Sequence, residues 1–126
     1  MNDLTAIILF AHGSTVQEAN QGIAHLAEVL SSKAGLPAGC AFLEIAQPDL
    51  ATAIAKFAGH GMVRIIIVPY FLSLGVHVRE DMPRLVTEQR LLYQNVEILV
   101  AQSLDAHPSM IELLMSRIQE VLPSGN

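Results

Sequence analysis

Leu4-Thr5-Ala6-Ile7-Ile8-Leu9-Phe10-Ala11, followed at once by His12-Gly13-Ser14, is the stretch that decides the fold. A short apolar run rich in Ile and Leu reads as a buried parallel strand, and a second apolar run, Val63–Leu72, lies beyond two helix-like segments and precedes His77. Ligands of open α/β sheets bind outside the carboxyl ends of the strands, so two imidazoles at two strand ends point to one site.

Working outward, the chain reads as four strand–helix units. The first strand, about Leu4–Phe10, leads to a helix over about Val16–Lys33 with Ala19, Ile23, Leu26, Ala27 and Leu30 on one face; Gly35 and Pro37 end it. A second strand, about Ala41–Ile45, precedes Pro48, which suits the first turn of a helix carrying Leu50, Ile54, Phe57 and Ala58. The third strand, Val63–Tyr70, is the most apolar. A Gly-containing loop, Phe71–Val78, then leads to a helix over about Glu80–Leu92. A fourth strand, Val96–Ala101, and a final helix, about Pro108–Leu122, complete the pattern, the helix presenting Met110, Leu114, Ile118 and Val121.

Strict alternation with right-handed crossovers predicts a three-layer α/β/α sandwich on a four-stranded parallel sheet of order 2-1-3-4. Residues 1–126 are expected to form one domain, since no linker, repeat or low-complexity segment interrupts them. In that order the chain reverses direction between strands one and three, which opens a crevice at their carboxyl ends. His12 and His77 follow those two strands, and Glu44, on strand two, is the nearest carboxylate.

Composition narrows the classes. With 52% hydrophobic residues, 5% aromatic and no Trp, the core is aliphatic. A net charge of −5 and only seven scattered Lys and Arg exclude a general nucleic-acid surface. The one cysteine, Cys40, has no internal partner and reads as a small buried hydrophobe. Asp3 and the lack of a basic cluster before the first apolar run argue against a secretory or transit leader, and no apolar run reaches the roughly 18 residues that span a bilayer. The expected compartment is the cytoplasm, with no membrane partner.

Two imidazoles and one carboxylate suit a borderline divalent ion, Co²⁺, Fe²⁺, Ni²⁺ or Zn²⁺, with coordination positions left open for exchange. The bland alternatives are a capping or solvated role for each histidine and a surface ion pair for Glu44. His25 and His60, on the first and second helices, and His107, before Pro108, read as structural or solvent-facing. Gly13, Ser14 and Thr15 place amides and hydroxyls beside His12, one hydroxyl serving as an ordinary helix cap. Arg79 is the one basic side chain next to the crevice; a salt bridge to Glu80 or Asp81 is its plain alternative.

Taken together, His12-Gly13-Ser14, Phe42-Leu43-Glu44 and the run from Val68-Pro69-Tyr70-Phe71 through His77-Val78-Arg79-Glu80-Asp81-Met82-Pro83 resemble the sirohydrochlorin chelatases of the small cobaltochelatase type. The resemblance extends over nearly the whole chain, to His107-Pro108. It implies a chelatase-like fold and a lyase that inserts a divalent metal into sirohydrochlorin, a tetrapyrrole, without ATP, in cobalamin or sirohaem-type biosynthesis. It also implies that His12 and His77 hold the incoming ion with help from Glu44. Cobalt is the first choice, with iron or nickel as alternatives, and no organic cofactor is expected. Relatives exist with two such domains in one chain, so this short form is expected to pair as a homodimer.

Ser14, the helix amides and Arg79 are the local donors for the carboxylates of the macrocycle, whose apolar faces would lie against the Phe71–Val76 loop. The main competing reading is a non-catalytic metal-binding or delivery module built on the same imidazoles. A histidine phosphatase is disfavoured because Ala11, not an arginine, precedes His12. A receiver-type binding module is disfavoured because no acidic cluster follows strand one.

Overall fold

The computed structural model describes residues 4–123. Asp3, on which part of the N-terminal reading turned, and the last three residues of the expected domain lie outside them.

Four parallel strands, β1 (Thr5–Ala11), β2 (Ala38–Phe42), β3 (Arg64–Pro69) and β4 (Glu97–Val100), form one sheet of order β2-β1-β3-β4. This is the expected α/β architecture and order. Between and after the strands come α1 (Gln17–Ala34), α2 (Leu50–Gly59), α3 (Val76–Leu92) and α4 (Ser109–Val121), the last preceded by a 3-10 turn at Leu104–Ala106.

Alternation along the strands assigns the two faces. Ile8, Phe10, Ile65, Ile67 and Ile98 project to one side and pack with Leu50, Ala53 and Ile54 of α2 and Val78 and Val86 of α3. Removing each such side chain from water is worth about 1.5–3 kcal/mol. On the other face α1 lies over β1 and β2 and covers Ile7 and Leu9. β1, paired on both sides, is buried along its whole length.

Several boundaries differ from the sequence reading. β2 runs over Ala38–Phe42 rather than Ala41–Ile45, so Glu44 sits in the loop beyond the strand. The α2 helix begins after Pro48, at Leu50, because Asp49 is its cap: its carboxylate accepts the Thr52 N–H at 2.8 Å. α3 begins at Val76, four residues earlier than expected, so His77 and Arg79 lie in its first turn rather than on the loop. The last helix, α4, carries the expected apolar face with Met110, Leu114, Ile118 and Val121, yet none of its residues is buried.

No helix among the described residues is long and apolar enough to cross a membrane.

Candidate metal-handling site at the strand ends

The loops after β1 and β2 are stitched together beyond the strands. Leu43 N–H donates to the Ala11 carbonyl at 2.8 Å and Glu44 N–H to the His12 carbonyl at 3.1 Å, so the two loops stay bonded to each other just beyond the strand ends. This brings the two loops so close that a Cβ on Gly13 would stand 2.0 Å from the Glu44 carbonyl oxygen. Gly13 also has φ +99°, a region disfavoured for residues with a Cβ. Glycine at this position is therefore what allows the next two side chains to meet.

They meet side by side: His12 Nε2 lies 3.3 Å from Glu44 Oε2. On the far side of the ring, Nδ1 is 3.3 Å from the Gly13 carbonyl oxygen. A neutral imidazole has one N–H and can satisfy only one of these two acceptors; at the other, a lone pair would face an oxygen. A proton or a metal cation at Nε2 relieves that conflict. Both side chains are about half exposed, 50% and 59%, so the pair contributes little to stability and is open to an incoming ion.

Ser14 is held from behind by Asn20, whose Oδ1 accepts the Ser14 N–H at 3.0 Å while its Nδ2 donates to the Ser14 carbonyl at 2.8 Å. The Ser14 amide, expected to be available to an anion, is thus already engaged. Its hydroxyl accepts the Val16 N–H at 2.9 Å, a local turn ahead of the helix rather than the helix cap, since Val16 itself is the α1 cap and carries no side-chain bond. Asn20 was missed from sequence because it sits in a helix interior. The available signal was an Asn six residues beyond a Ser at a loop-to-helix junction.

Beside Ser14 and the Glu44 loop lies an open polar groove of about 480 Å³, lined by Thr15, Gln17, Asn20, Ile45 and Gln47 together with Ser14. Its amides and hydroxyls are hydrogen-bond donors of the kind that hold carboxylates without a net positive charge.

His77 and Arg79 are exposed in the first turn of α3, flanking the buried Val78. Arg79 makes no ion pair among the described residues; Asp81 instead faces Arg84 at 3.4 Å. The structure brings His12 and Glu44 together, but among the described residues no three His, Cys, Asp or Glu side chains converge as a metal-binding group. In the preceding loop, Phe71 is buried and meets Phe10 edge-on, with ring centroids 6.1 Å apart. Phe71 therefore belongs to the core and cannot face a macrocycle, whereas Leu72 and Val76 stand exposed.

The remaining titratable candidates have structural roles. His25 pairs with Glu28 at 3.7 Å, His60 caps α2, and His107 Nδ1 accepts the Ser109 N–H at 3.0 Å. Partial burial pushes the Cys40 thiol up from its ordinary value, which suits an unreactive packing residue.

Known proteins share the sequence pattern and the fold. A sirohydrochlorin cobaltochelatase from Methanosarcina acetivorans is 28% identical over 130 residues, covering 97% of this chain and the whole of that protein. Among solved structures, a CbiX protein assigned to cobalamin biosynthesis from Marinobacter aquaeolei superposes with a TM-score of 0.81 at 28% identity, over 92% of this chain and 95% of the other. The cobalt complex of the sirohydrochlorin chelatase from Bacillus subtilis shares the fold, with a TM-score of 0.79 at 23% identity, and this chain spans only 50% of its length. With the CbiX family profile matching from residue 6 to residue 121, the chain belongs to the CbiX family.

Proposed function

We propose that this protein is a sirohydrochlorin chelatase, an enzyme that exchanges two pyrrole protons of the macrocycle for a divalent metal ion. The observation that carries the reading is the His12–Glu44 pair at the carboxyl edge of a CbiX fold. Cobalt is the proposed metal, since the Methanosarcina relative of matching length is named for cobalt. Iron and nickel are the alternatives, as both accept imidazole and carboxylate.

The reaction asks three things of the protein: to strip part of the ion's hydration shell, to hold the ion weakly enough to release it, and to accept protons. His12 Nε2 and Glu44 Oε2 supply one nitrogen and one carboxylate donor side by side, too few to trap an ion and enough to orient it. That sparse set favours transfer over storage. We assign His77 as the further imidazole, reaching the macrocycle from the first turn of α3. Once the ion has left, His12 Nε2 and Glu44 Oε2 are each free to take one of the two pyrrole protons.

The carboxylates of the substrate are assigned to the groove formed by Ser14, Thr15, Gln17 and Gln47, with Arg79 contributing charge from α3. Because the exchange breaks no bond that needs activation by a phosphoryl group, the proposed reaction uses neither ATP nor an organic cofactor. We also propose that two copies pair, since one chain matches half of the Bacillus protein and leaves its own site open on one side.

Incubating the protein with sirohydrochlorin and Co²⁺, Fe²⁺ or Ni²⁺ in competition, while following the absorption change on insertion, tests the reading. Rates above those of the metal alone are expected, highest for one ion. Metal binding with no acceleration would replace it with the storage reading.

A further inference from the structure

Ile45, the residue after Glu44, adopts a backbone conformation that the chain elsewhere gives to glycine. Among the described residues the positive-φ positions are Gly13, Gly35, Gly61 and Ile45, the last with φ +75°. Ala46 N–H donates to the Glu44 carbonyl at 2.8 Å, closing a three-residue turn around Ile45. Such a turn with a positive φ at its centre is the rare, strained form, and a β-branched side chain is poorly suited to it. Glycine or asparagine would sit there with less strain.

The turn has a cause, but that cause does not ask for isoleucine. Glu44 is tied to the loop after β1 by its N–H on the His12 carbonyl at 3.1 Å, and its own carbonyl stands against Gly13. The chain then reverses at the next residue. Packing does not ask for isoleucine either: Leu43 lies against the core, whereas Ile45 is 61% exposed and is not among the residues packed there. A bulky apolar side chain that strains the backbone and gains no burial fits a group held in place for a ligand.

Its surroundings indicate the chemistry of that ligand. Ile45 lines the open groove with Ser14, Thr15, Gln17 and Gln47, so an apolar side chain stands beside a row of amides and hydroxyls. On the other side of β1, exposed Leu72 and Val76 follow β3. Two interstrand spacings, about 10 Å, separate β2 from β3, and His12 follows the strand between them. A broad, flat ligand, apolar across its faces and carboxylated at its edge, matches this arrangement over the His12–Glu44 pair.

We propose that Ile45 is a macrocycle-binding residue: its side chain bears on an apolar face of the tetrapyrrole while the rim carboxylates enter the groove beside it. Because Ile45 and Glu44 share one turn, holding the ring against the first sets the distance of the pyrrole nitrogens from the second. The proposal rests on the chelatase reading and adds to it the residue that fixes the ring on the β2 side.

Three variants test it, through the kinetics of insertion and through binding of metal-free sirohydrochlorin followed by the quenching of its fluorescence. Ile45→Gly and Ile45→Asn keep the turn and lose the apolar contact. In each, KM and the dissociation constant of the metal-free ring are expected to rise roughly five- to twentyfold, the loss that corresponds to covering the exposed 61% of an isoleucine. The change in kcat should stay within about threefold, and the affinity for Co²⁺ alone should be unaltered. With the strain relieved, unfolding temperatures should fall by no more than about 2 °C. Ile45→Val, which keeps a branched apolar side chain, should bind the ring within about threefold of the parent. Glycine and asparagine variants that bind the ring as the parent does would overturn the assignment and leave the chelatase reading intact. A loss that valine does not rescue, or one shared equally by Co²⁺ affinity, would also overturn it and give the turn a purely structural role. A parent that binds the ring without speeding insertion would overturn the chelatase reading alone, the binding constants still deciding the role of Ile45. A parent that does not bind the ring would overturn both.

Discussion

Gly13 and Glu44 are in contact through backbone alone: a Cβ on the first would stand 2.0 Å from the carbonyl oxygen of the second. Gly13→Ala therefore meets a clash with a fixed atom as well as the cost of a positive φ, about 1–3 kcal/mol for the strain alone. The loops should separate, and His12 with Glu44. Thermal unfolding is expected to fall by roughly 5–10 °C, with most insertion activity lost. An alanine variant as stable and active as the parent would show that the close approach is not required.

His12→Ala and His77→Ala should each remove most insertion activity without unfolding the chain, because both side chains are exposed and outside the core. Unfolding temperatures within about 2 °C of the parent are expected, as for surface changes generally. Glu44→Gln keeps the size and hydrogen-bonding capacity but removes the charge beside Nε2, so its effect should be smaller and should vary with the metal. Initial rates for the three variants with each ion separate these roles.

Asn20→Ala removes both bonds to the Ser14 backbone and leaves two part-buried groups without their partner, at a cost of about 1–3 kcal/mol. As a positioning residue, Asn20 should affect KM for the tetrapyrrole more than the affinity for free metal. Equal loss in both would assign it a purely structural role.

The Asp49 carboxyl is held below its usual range by the Thr52 hydroxyl and then by the Thr52 backbone N–H at the start of α2. Its folded value lies below the unfolded one, so its stabilisation is present above the unfolded value of about 3.9 and is lost as pH falls through the folded value. Asp49→Ala should cost about 1 kcal/mol near neutrality. The gap in unfolding temperature between parent and variant should narrow in acid; a gap constant from pH 7 to pH 2 would contradict the capping role.

The strands and their order were legible because uninterrupted runs such as Ile7–Phe10 and Ile65–Val68 leave no other economical reading, and the crevice follows from the order. The start of α3 was not. Gly75 caps it without a side-chain bond, and exposed His77, Arg79 and Glu80 surround a single buried Val78, so neither a capping residue nor an apolar stripe announces the first turn. The end of β2 was misjudged because Leu43 and Ile45 prolong an apolar pattern after the strand has stopped; Ile45 already has φ +75°. His12 and Glu44 were legible as neighbours from topology. Their contact was not, because it depends on the loop closure that Gly13 permits.

The two backbone bonds that tie Leu43 and Glu44 to the loop after β1 have a consequence for dynamics. The amide protons of these two residues are engaged, so they should exchange with deuterated solvent more slowly than free loop amides. The spacing between the His12 imidazole and the Glu44 carboxylate is thereby set by backbone bonds between the two loops, independently of any ligand.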